Sequence, residues 1–143
     1  VTLNNLDPDF IAINPEIRLP ETDKNNNWRY IKNFLNLKPT QFNFLRDYQS
    51  PKRNQFYYNP VVNYNLYDGL SPGSRFYNKG LLIQKFTFEL MPQYSSLQND
   101  LVGKVKMSYR LNNSGKSNYV TSFNFFGSSY HYFENLRYQV INP

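Results

Sequence analysis

The strongest constraint on the fold is a two-residue alternation of apolar and polar side chains between Lys85 and Leu111. Successive side chains of a β-strand point to opposite faces, so this period requires extended backbone. The polar segment Ser95–Asp100 divides it into two strands. The apolar positions are Phe86, Phe88, Leu90, Tyr94, Leu101, Val105, Met107, Tyr109 and Leu111. The stretch predicts an antiparallel hairpin with one apolar and one charged face, in which Glu89 shares the charged face with Lys104 and Lys106.

A second alternating stretch precedes this hairpin. Residues 55–66 place aromatic and aliphatic side chains at even positions and mainly polar ones at odd positions, which predicts a strand of about 10 to 12 residues. Pro60 cannot donate a ladder hydrogen bond, so we expect a sheet edge, a bulge or a strand that starts at Val61. Asp68–Gly69 and Pro72–Gly73 carry turn chemistry.

Further strands are predicted after the hairpin. Asn112–Gly115 forms the next turn, and Tyr119–Phe125 alternates again. Gly127–Ser129 predicts a bend or bulge in that strand. Leu136–Val140 then predicts a fourth strand. Residues 55–143 are therefore interpreted as an all-β, antiparallel meander of long strands.

Residues 1–54 have a different character. They contain five prolines and the run Asn25–Asn27, which predicts an irregular lead-in with one or two short elements. Trp28–Leu37 carries apolar residues at helical spacing but is also compatible with an early strand, because Gln41–Phe44 just beyond it alternates with period two.

Two all-β architectures fit these alternations. In a soluble sandwich the apolar rows face a second sheet. In an outer-membrane β-barrel they face lipid, the polar rows line a wet interior, and tyrosines lie near strand ends. The chain has 13 Tyr and 12 Phe, and Tyr94 and Tyr109 lie toward the ends of their apolar rows. No stretch approaches about 18 consecutive apolar residues. The tyrosine positions favour the barrel only slightly, so the alternation leaves both architectures open.

The composition argues against several other classes of function. The net charge is +6, but the 16 Lys and Arg are scattered singly, so nucleic acid is not an expected partner. Cysteine is absent, which removes thiolate nucleophiles, disulfides and zinc ribbons. The chain begins at Val1 without a signal-like segment, and Val140–Pro143 still has the pattern of a strand. We therefore expect an excerpt of a longer protein.

Catalytic constellations are equally sparse. The single histidine, His131, excludes a His-Glu-x-x-His zinc motif, and we expect it to be a hydrogen-bonded structural residue rather than a ligand or base. Asp7 with Asp9 and Glu21 with Asp23 leave a glycosidase pair or a calcium loop as alternatives. No Gly-x-Ser-x-Gly or glycine-rich phosphate loop occurs. No catalytic, cofactor-binding or metal residue is predicted in this chain.

The order of aromatic motifs carries a resemblance to a known family. The motifs are Gln55–Pro60, Asn63–Leu70, Tyr77–Lys79, Phe86–Tyr94 and Asn118–Tyr132 with its Phe-Gly-Ser-Ser bend. Over residues 40–140 this order resembles the carboxy-terminal β-barrel region of Bacteroidetes-type gluzincin metallopeptidases, which are zinc aminopeptidase-like proteins. The family's zinc-binding motif has no counterpart here. The resemblance implies that zinc and peptide cleavage belong to an upstream peptidase domain of the parent protein.

The leading hypothesis is a non-catalytic segment that anchors or scaffolds such a peptidase at the outer membrane, with membrane lipid as its partner. The alternative is a soluble β-sandwich or jelly-roll module, periplasmic or secreted, that binds a glycan or protein through exposed Tyr and Asn. An independent hydrolase that uses His131 is a third, weaker hypothesis.

Overall fold

The computed structural model describes residues 8–16, 18–20, 24–32, 38–45, 48–80, 84–112 and 120–143. Strands dominate this part of the chain, which confirms the all-β prediction. The strands are β1 (Phe10–Ala12), β2 (Trp28–Tyr30), β3 (Thr40–Phe44), β4 (Asn54–Asn65), β5 (Gly69–Tyr77), β6 (Phe86–Ser95), β7 (Asp100–Asn112), β8 (Val120–Phe133) and β9 (Leu136–Asn142). A four-residue 3₁₀ helix, Lys24–Asn27, precedes β2.

The described strands form a small sheet and a large one. β1 and β2 pair as two antiparallel strands, and β3 to β9 form a seven-stranded sheet in sequence order. β4 to β9 are antiparallel neighbours, as the meander prediction requires. β3 differs, because it runs parallel to β4. The nine residues 45–53 are enough for this arrangement. Fully extended they can span roughly 30 Å, which exceeds the length of the five-residue β3, so the chain can return to the level of Thr40 before β4 begins.

The hairpin that the alternation predicts is present as β6 and β7. Its ladder runs from Phe86 opposite Tyr109 to Ser95 opposite Asp100, with Glu89 opposite Lys106. Apolar side chains therefore meet on one face. The other face is mainly polar, although Met91 lies opposite Lys104 and Val102 lies opposite Gln93. We call these the apolar face and the polar face of the large sheet.

Of the predictions about glycine and proline before the hairpin, one needs correction. Pro72 and Gly73 lie inside β5 opposite Val62 and Val61, so they do not form a turn. The turn predicted at Asp68–Gly69 is present: it comprises residues 66–68 and ends at Gly69, whose φ of 67° suits glycine. Pro60 is inside β4, two residues past Tyr58, the last residue paired with β3. Beyond Tyr58, β5 is the only strand that pairs with β4 among the described residues. Pro60, which has no backbone N–H, therefore lies where β4 has an unpaired edge, as one of the predicted alternatives requires.

The predicted bulge at Gly127–Ser129 is also misplaced. Gly127 and Ser129 pair in register with both β7 and β9, and the ladder becomes irregular only between His131 and Phe133. Gly127 is explained by packing, because a Cβ there would lie 3.0 Å from the Cγ1 atom of Val105.

For Trp28–Leu37 in the lead-in, the sequence predicted either a helix or a strand. Trp28–Tyr30 pairs with Phe10–Ala12, so the strand alternative is correct for these residues. Trp28 is buried, and the Lys52 ammonium lies 4.6 Å from its ring centroid. Tyr30 donates a hydrogen bond to the carbonyl of Lys52, which ties the small sheet to the segment before β4. Residues 33–37, Asp7, Glu21, Asp23 and most of the Asn112–Gly115 turn lie outside the described residues.

The two faces of the large sheet differ in exposure. On the apolar face, Phe42 is 72% exposed and Leu101 65% exposed. On the polar face, Gln93 is 1% exposed and Tyr57 2% exposed. The polar face is therefore the sheltered one around these residues, whereas Lys106, Arg110 and Asn124 further along it are exposed. Its shelter at β4 comes partly from residues 48–50, because Tyr57 and Gln55 both donate hydrogen bonds to the carbonyl of Tyr48.

The large sheet is open within the described residues. Its outer strands are β3 and β9, and they do not pair with each other. No helix in this part of the chain is long and apolar enough to cross a membrane.

Gly103 provides a test of the β6–β7 ladder. Its φ is 147°, and a Cβ at this position would lie 2.1 Å from the carbonyl oxygen of Met91. We expect Gly103→Ala to lower the free energy of unfolding by about 1–3 kcal/mol, because the backbone must shift. Gly127→Ala is the matched control and should cost less, since its neighbour is a side-chain methyl group. Equal effects in urea denaturation would contradict this packing.

Candidate functional site

Three short turns lie at the same end of the large sheet. They comprise residues 66–68 between β4 and β5, 96–99 between β6 and β7, and 134–135 between β8 and β9. Alternate connections of an antiparallel meander always fall at the same end, so side chains distant in sequence can meet there. The residues that meet are Asn65, Asp68, Ser95, Asp100, His131 and Arg137, and we call them the turn-end cluster.

Asp68 is the centre of the turn-end cluster and is 0% exposed. Its Oδ2 atom accepts hydrogen bonds from the Asn65 amide at 2.7 Å and from the His131 backbone N–H at 3.2 Å. Its Oδ1 atom lies 2.7 Å from Nδ1 of His131. Its backbone carbonyl accepts from the Ser95 hydroxyl at 2.9 Å. One buried residue thus joins β4, β6 and β8.

The protonation of Asp68 follows from these contacts. Burial raises the pKa of its carboxyl group, but hydrogen bonds donated by Asn65 and His131 act in the opposite direction and outweigh burial. The pKa of Asp68 is therefore lowered from its ordinary value. An ionised carboxylate only accepts hydrogen bonds, so Nδ1 of His131 carries the proton in this pair.

The second ring nitrogen of His131 faces another carboxylate. Its Nε2 atom is 3.9 Å from Oδ2 of Asp100, and the same oxygen accepts a 2.9 Å hydrogen bond from Arg137. Arg137 also donates to the hydroxyl of Ser129 and to the carbonyl of Leu101. These contacts connect β7, β8 and β9, so the turn-end cluster spans five of the seven strands.

The geometry of the turn-end cluster favours a structural role over catalysis. Ser95 donates its hydroxyl proton to the Asp68 carbonyl, and Ser129 accepts from Arg137, so each bonds to a group other than the imidazole. A serine hydrolase instead needs the hydroxyl on the far ring nitrogen of the histidine. Among the described residues, no group of three or more His, Cys, Asp or Glu side chains could hold a metal ion.

A second polar group lies further along the polar face. Gln93 accepts hydrogen bonds through its side-chain oxygen from Asn63 and Tyr130, both at 3.1 Å, and donates to the carbonyl of Ser71 at 3.1 Å. Buried polar side chains are stable only when they are paired in this way. Gln93 therefore links β4, β5, β6 and β8 through hydrogen bonds, beside the buried apolar side chains of Met91 and Val102.

The sequence suggested some of these residues and missed the others. His131 was singled out as a hydrogen-bonded residue, and the structure places it, 7% exposed, against Asp68. Asp68 was assigned only to a turn. The available signal was the meander itself, which predicts that the turns at residues 66–68 and 134–135 share one end of the sheet. Asp9, named as half of a carboxylate pair, forms a surface ion pair with Lys32 at 2.7 Å.

Comparison of the chain with protein-family models, with curated proteins and with solved structures gives no significant match. The resemblance to the carboxy-terminal region of gluzincin metallopeptidases therefore stays a prediction.

Substitution of Asp68 tests the turn-end cluster. We expect Asp68→Ala to lower the free energy of unfolding by about 3 kcal/mol or more, because Asn65 and His131 would lose a buried charged partner. Asp68→Asn keeps the volume and should cost less. A suitable measurement is urea denaturation, with the exposed Asp9→Ala as control. If Asp68→Ala and Asp9→Ala cost the same, Asp68 does not hold the turns together.

The lowered pKa of Asp68 gives a pH dependence with a definite sign. Because the folded state favours the carboxylate, the stabilisation is fully present above the unfolded-state pKa of about 3.9 and is lost as pH falls through the lower folded-state pKa. The stability difference between the parent chain and Asp68→Asn should be constant from neutral pH to about pH 5 and shrink below about pH 4. A difference that grows on acidification would contradict this assignment.

Proposed function

We propose that residues 40–143 form part of the wall of an outer-membrane β-barrel and serve as a non-catalytic anchor or scaffold for a larger protein. The observation that carries the proposal is the exposure pattern of the large sheet, in which apolar side chains cover the open face and polar side chains cover the sheltered one.

The apolar face supports contact with lipid. Aromatic rings form a connected row across the first strands, with centroids 5.6 Å apart for Phe42 and Phe56 and 5.7 Å apart for Phe56 and Phe88. The exposed row continues through Leu90, Met107 and Phe123. Water-soluble monomers rarely expose an apolar surface that extends over a whole sheet. In a bilayer the same surface is favourably covered by acyl chains.

The polar face supports a wet interior. Its side chains hydrogen-bond to one another, as Gln93 and Asp68 do, and it carries Lys104, Lys106 and Arg110 on alternate positions of β7. A membrane barrel has this arrangement, with polar residues directed inward and apolar residues outward along every strand. A soluble sandwich would bury the opposite face.

The strand lengths and connections fit the same proposal. β4, β6, β7 and β8 contain 12, 10, 13 and 14 residues. A tilted strand needs about 9–11 residues to cross a bilayer. The turns at one end have two to four residues, whereas the connection between β5 and β6 at the other end is longer and comprises residues 78–85. Short turns at one end and longer loops at the other are typical of outer-membrane barrels.

A membrane location places a condition on the edges of the sheet. An unpaired strand edge cannot face hydrocarbon, because each unsatisfied backbone group costs several kcal/mol. β3 and β9 must then be covered by further strands of the parent protein.

The resemblance to gluzincin metallopeptidases supports a further part of the proposal, namely that the parent protein is a zinc metallopeptidase. Its catalytic domain would lie outside residues 40–143, and zinc and peptide would bind in that domain.

A pair of lysine substitutions on one strand tests the proposal. Leu90 lies on the apolar face and is 44% exposed, while Thr87 lies on the polar face of the same strand. If lipid covers the apolar face, Leu90→Lys should destabilise the membrane-inserted protein by about 2–4 kcal/mol. Thr87→Lys should be tolerated. The measurement is the yield of folded full-length protein in carbonate-washed outer-membrane fractions.

The opposite result identifies the soluble alternative. An exposed leucine in water can be replaced by lysine with a change of about 0.5 kcal/mol or less. Full-length protein that is released as a soluble monomer, with Leu90→Lys as stable as the parent, would overturn membrane anchoring and favour a soluble binding module.

A further inference from the structure

The polar face carries an excess of positive charge at the end opposite to the turn-end cluster. Lys104, Lys106 and Arg110 lie at even-numbered positions of β7 and so share the polar face, with Ser108 between the last two. These like charges lie close together on one strand, so this end of the polar face attracts anions.

A cavity of about 530 Å³ lies beside this basic row. Its lining includes Lys79, Lys106, Ser108, Asn124 and Asn142. Ser108 pairs with Asn124 across the β7–β8 ladder, and their side chains are 2.8 Å apart. Phe126 contributes an aromatic ring, and Asn142 is its partner on β9. The cavity thus combines ammonium groups, hydroxyl and amide groups, and an aromatic surface.

The negative charge in this cavity is already paired. Glu89 accepts a hydrogen bond from Arg75 at 3.2 Å, and the Arg75 guanidinium also lies 4.5 Å from the Tyr77 ring centroid. Lys106 is opposite Glu89 in the ladder, yet its ammonium group lies 5.8 Å from the Phe126 ring centroid and its side chain is exposed. Among the described residues neither Lys79 nor Lys106 forms an ion pair, so both can pair with an anion in the cavity.

We propose that this cavity binds a saccharide that carries a carboxylate or phosphate group. The Lys106 ammonium would pair with the anion, and Asn124, Asn142 and Ser108 would hydrogen-bond the sugar hydroxyl groups. Phe126 would pack against the apolar face of the sugar ring. The site belongs to the polar face, so the inference holds whether that face lines a barrel or faces bulk solvent.

The test is calorimetric titration of the full-length protein with three probes of different charge. Trigalacturonic acid represents a carboxylate source, glucose 6-phosphate represents a phosphate source, and maltotriose is neutral. At least one anionic probe should bind, about tenfold or more tightly than maltotriose, and its affinity should fall as salt is added. Inorganic phosphate should bind more weakly than a sugar phosphate that binds, because it lacks the ring and hydroxyl contacts.

Variants of single residues assign the binding to the cavity. Lys106→Gln should weaken binding of the anionic probe about tenfold, whereas Lys106→Arg should largely preserve it. Arg53→Gln removes the same charge from the exposed segment before β4 and should leave the affinity unchanged. Asn124→Ala should weaken binding without altering the net charge, which covers the case of a misfolded Lys106 variant.

Several outcomes would overturn the inference. These are an absence of binding by both anionic saccharides, equal affinity for maltotriose, equal affinity for inorganic phosphate, or equal weakening by Arg53→Gln and Lys106→Gln. None of them bears on membrane anchoring, which is measured by fractionation.

Discussion

Every strand of the large sheet must send alternate side chains to opposite faces, and this constraint decides what each face can contact. Along β6 and β7 it collects Leu90 and Val105 on one face and Glu89 and Lys106 on the other. The polar face is the sheltered one, so its groups need partners within the protein. Asp68 and Gln93 supply them, and each joins strands far apart in the chain. On this face, polar pairing therefore supplements a small set of buried apolar side chains, Tyr57, Met91 and Val102.

Periodicity predicted this sheet well where the side chains alternate. The Lys85–Leu111 hairpin was predicted with the correct faces, because period two follows from backbone geometry alone. Glycine and proline were harder to interpret. Pro72 and Gly73 have turn chemistry but lie in β5, where pairing with β4 overrides local preference. Gly127 accommodates Val105 rather than bending its strand. The parallel pairing of β3 was not predicted, because residues 45–53 between β3 and β4 carry no periodic signal in the sequence.

The candidate site was less predictable than the sheet, for a physical reason. Asp68 and His131 are 63 residues apart and meet only because two turns share one end of the sheet. Their hydrogen bond is invisible until the register of every intervening strand is known. The same holds for the basic cavity, which combines residues of β6, β7, β8 and β9. By contrast, the exposure of the apolar face follows directly from the alternation, and it is the basis for the proposed anchoring role.

The central claim is that lipid covers the apolar face while water reaches the polar one. Because these 143 residues contain no cysteine, a cysteine placed at any one of residues 103–109 is the only one in this chain and can be labelled with a nitroxide. Electron paramagnetic resonance in reconstituted bilayers then reports collisions with oxygen, which partitions into lipid, and with a water-soluble nickel chelate. Odd positions such as Met107 should collide preferentially with oxygen, and even positions such as Lys106 with nickel, with a period of two. Equal access of the nickel chelate to both sets of positions would contradict the account.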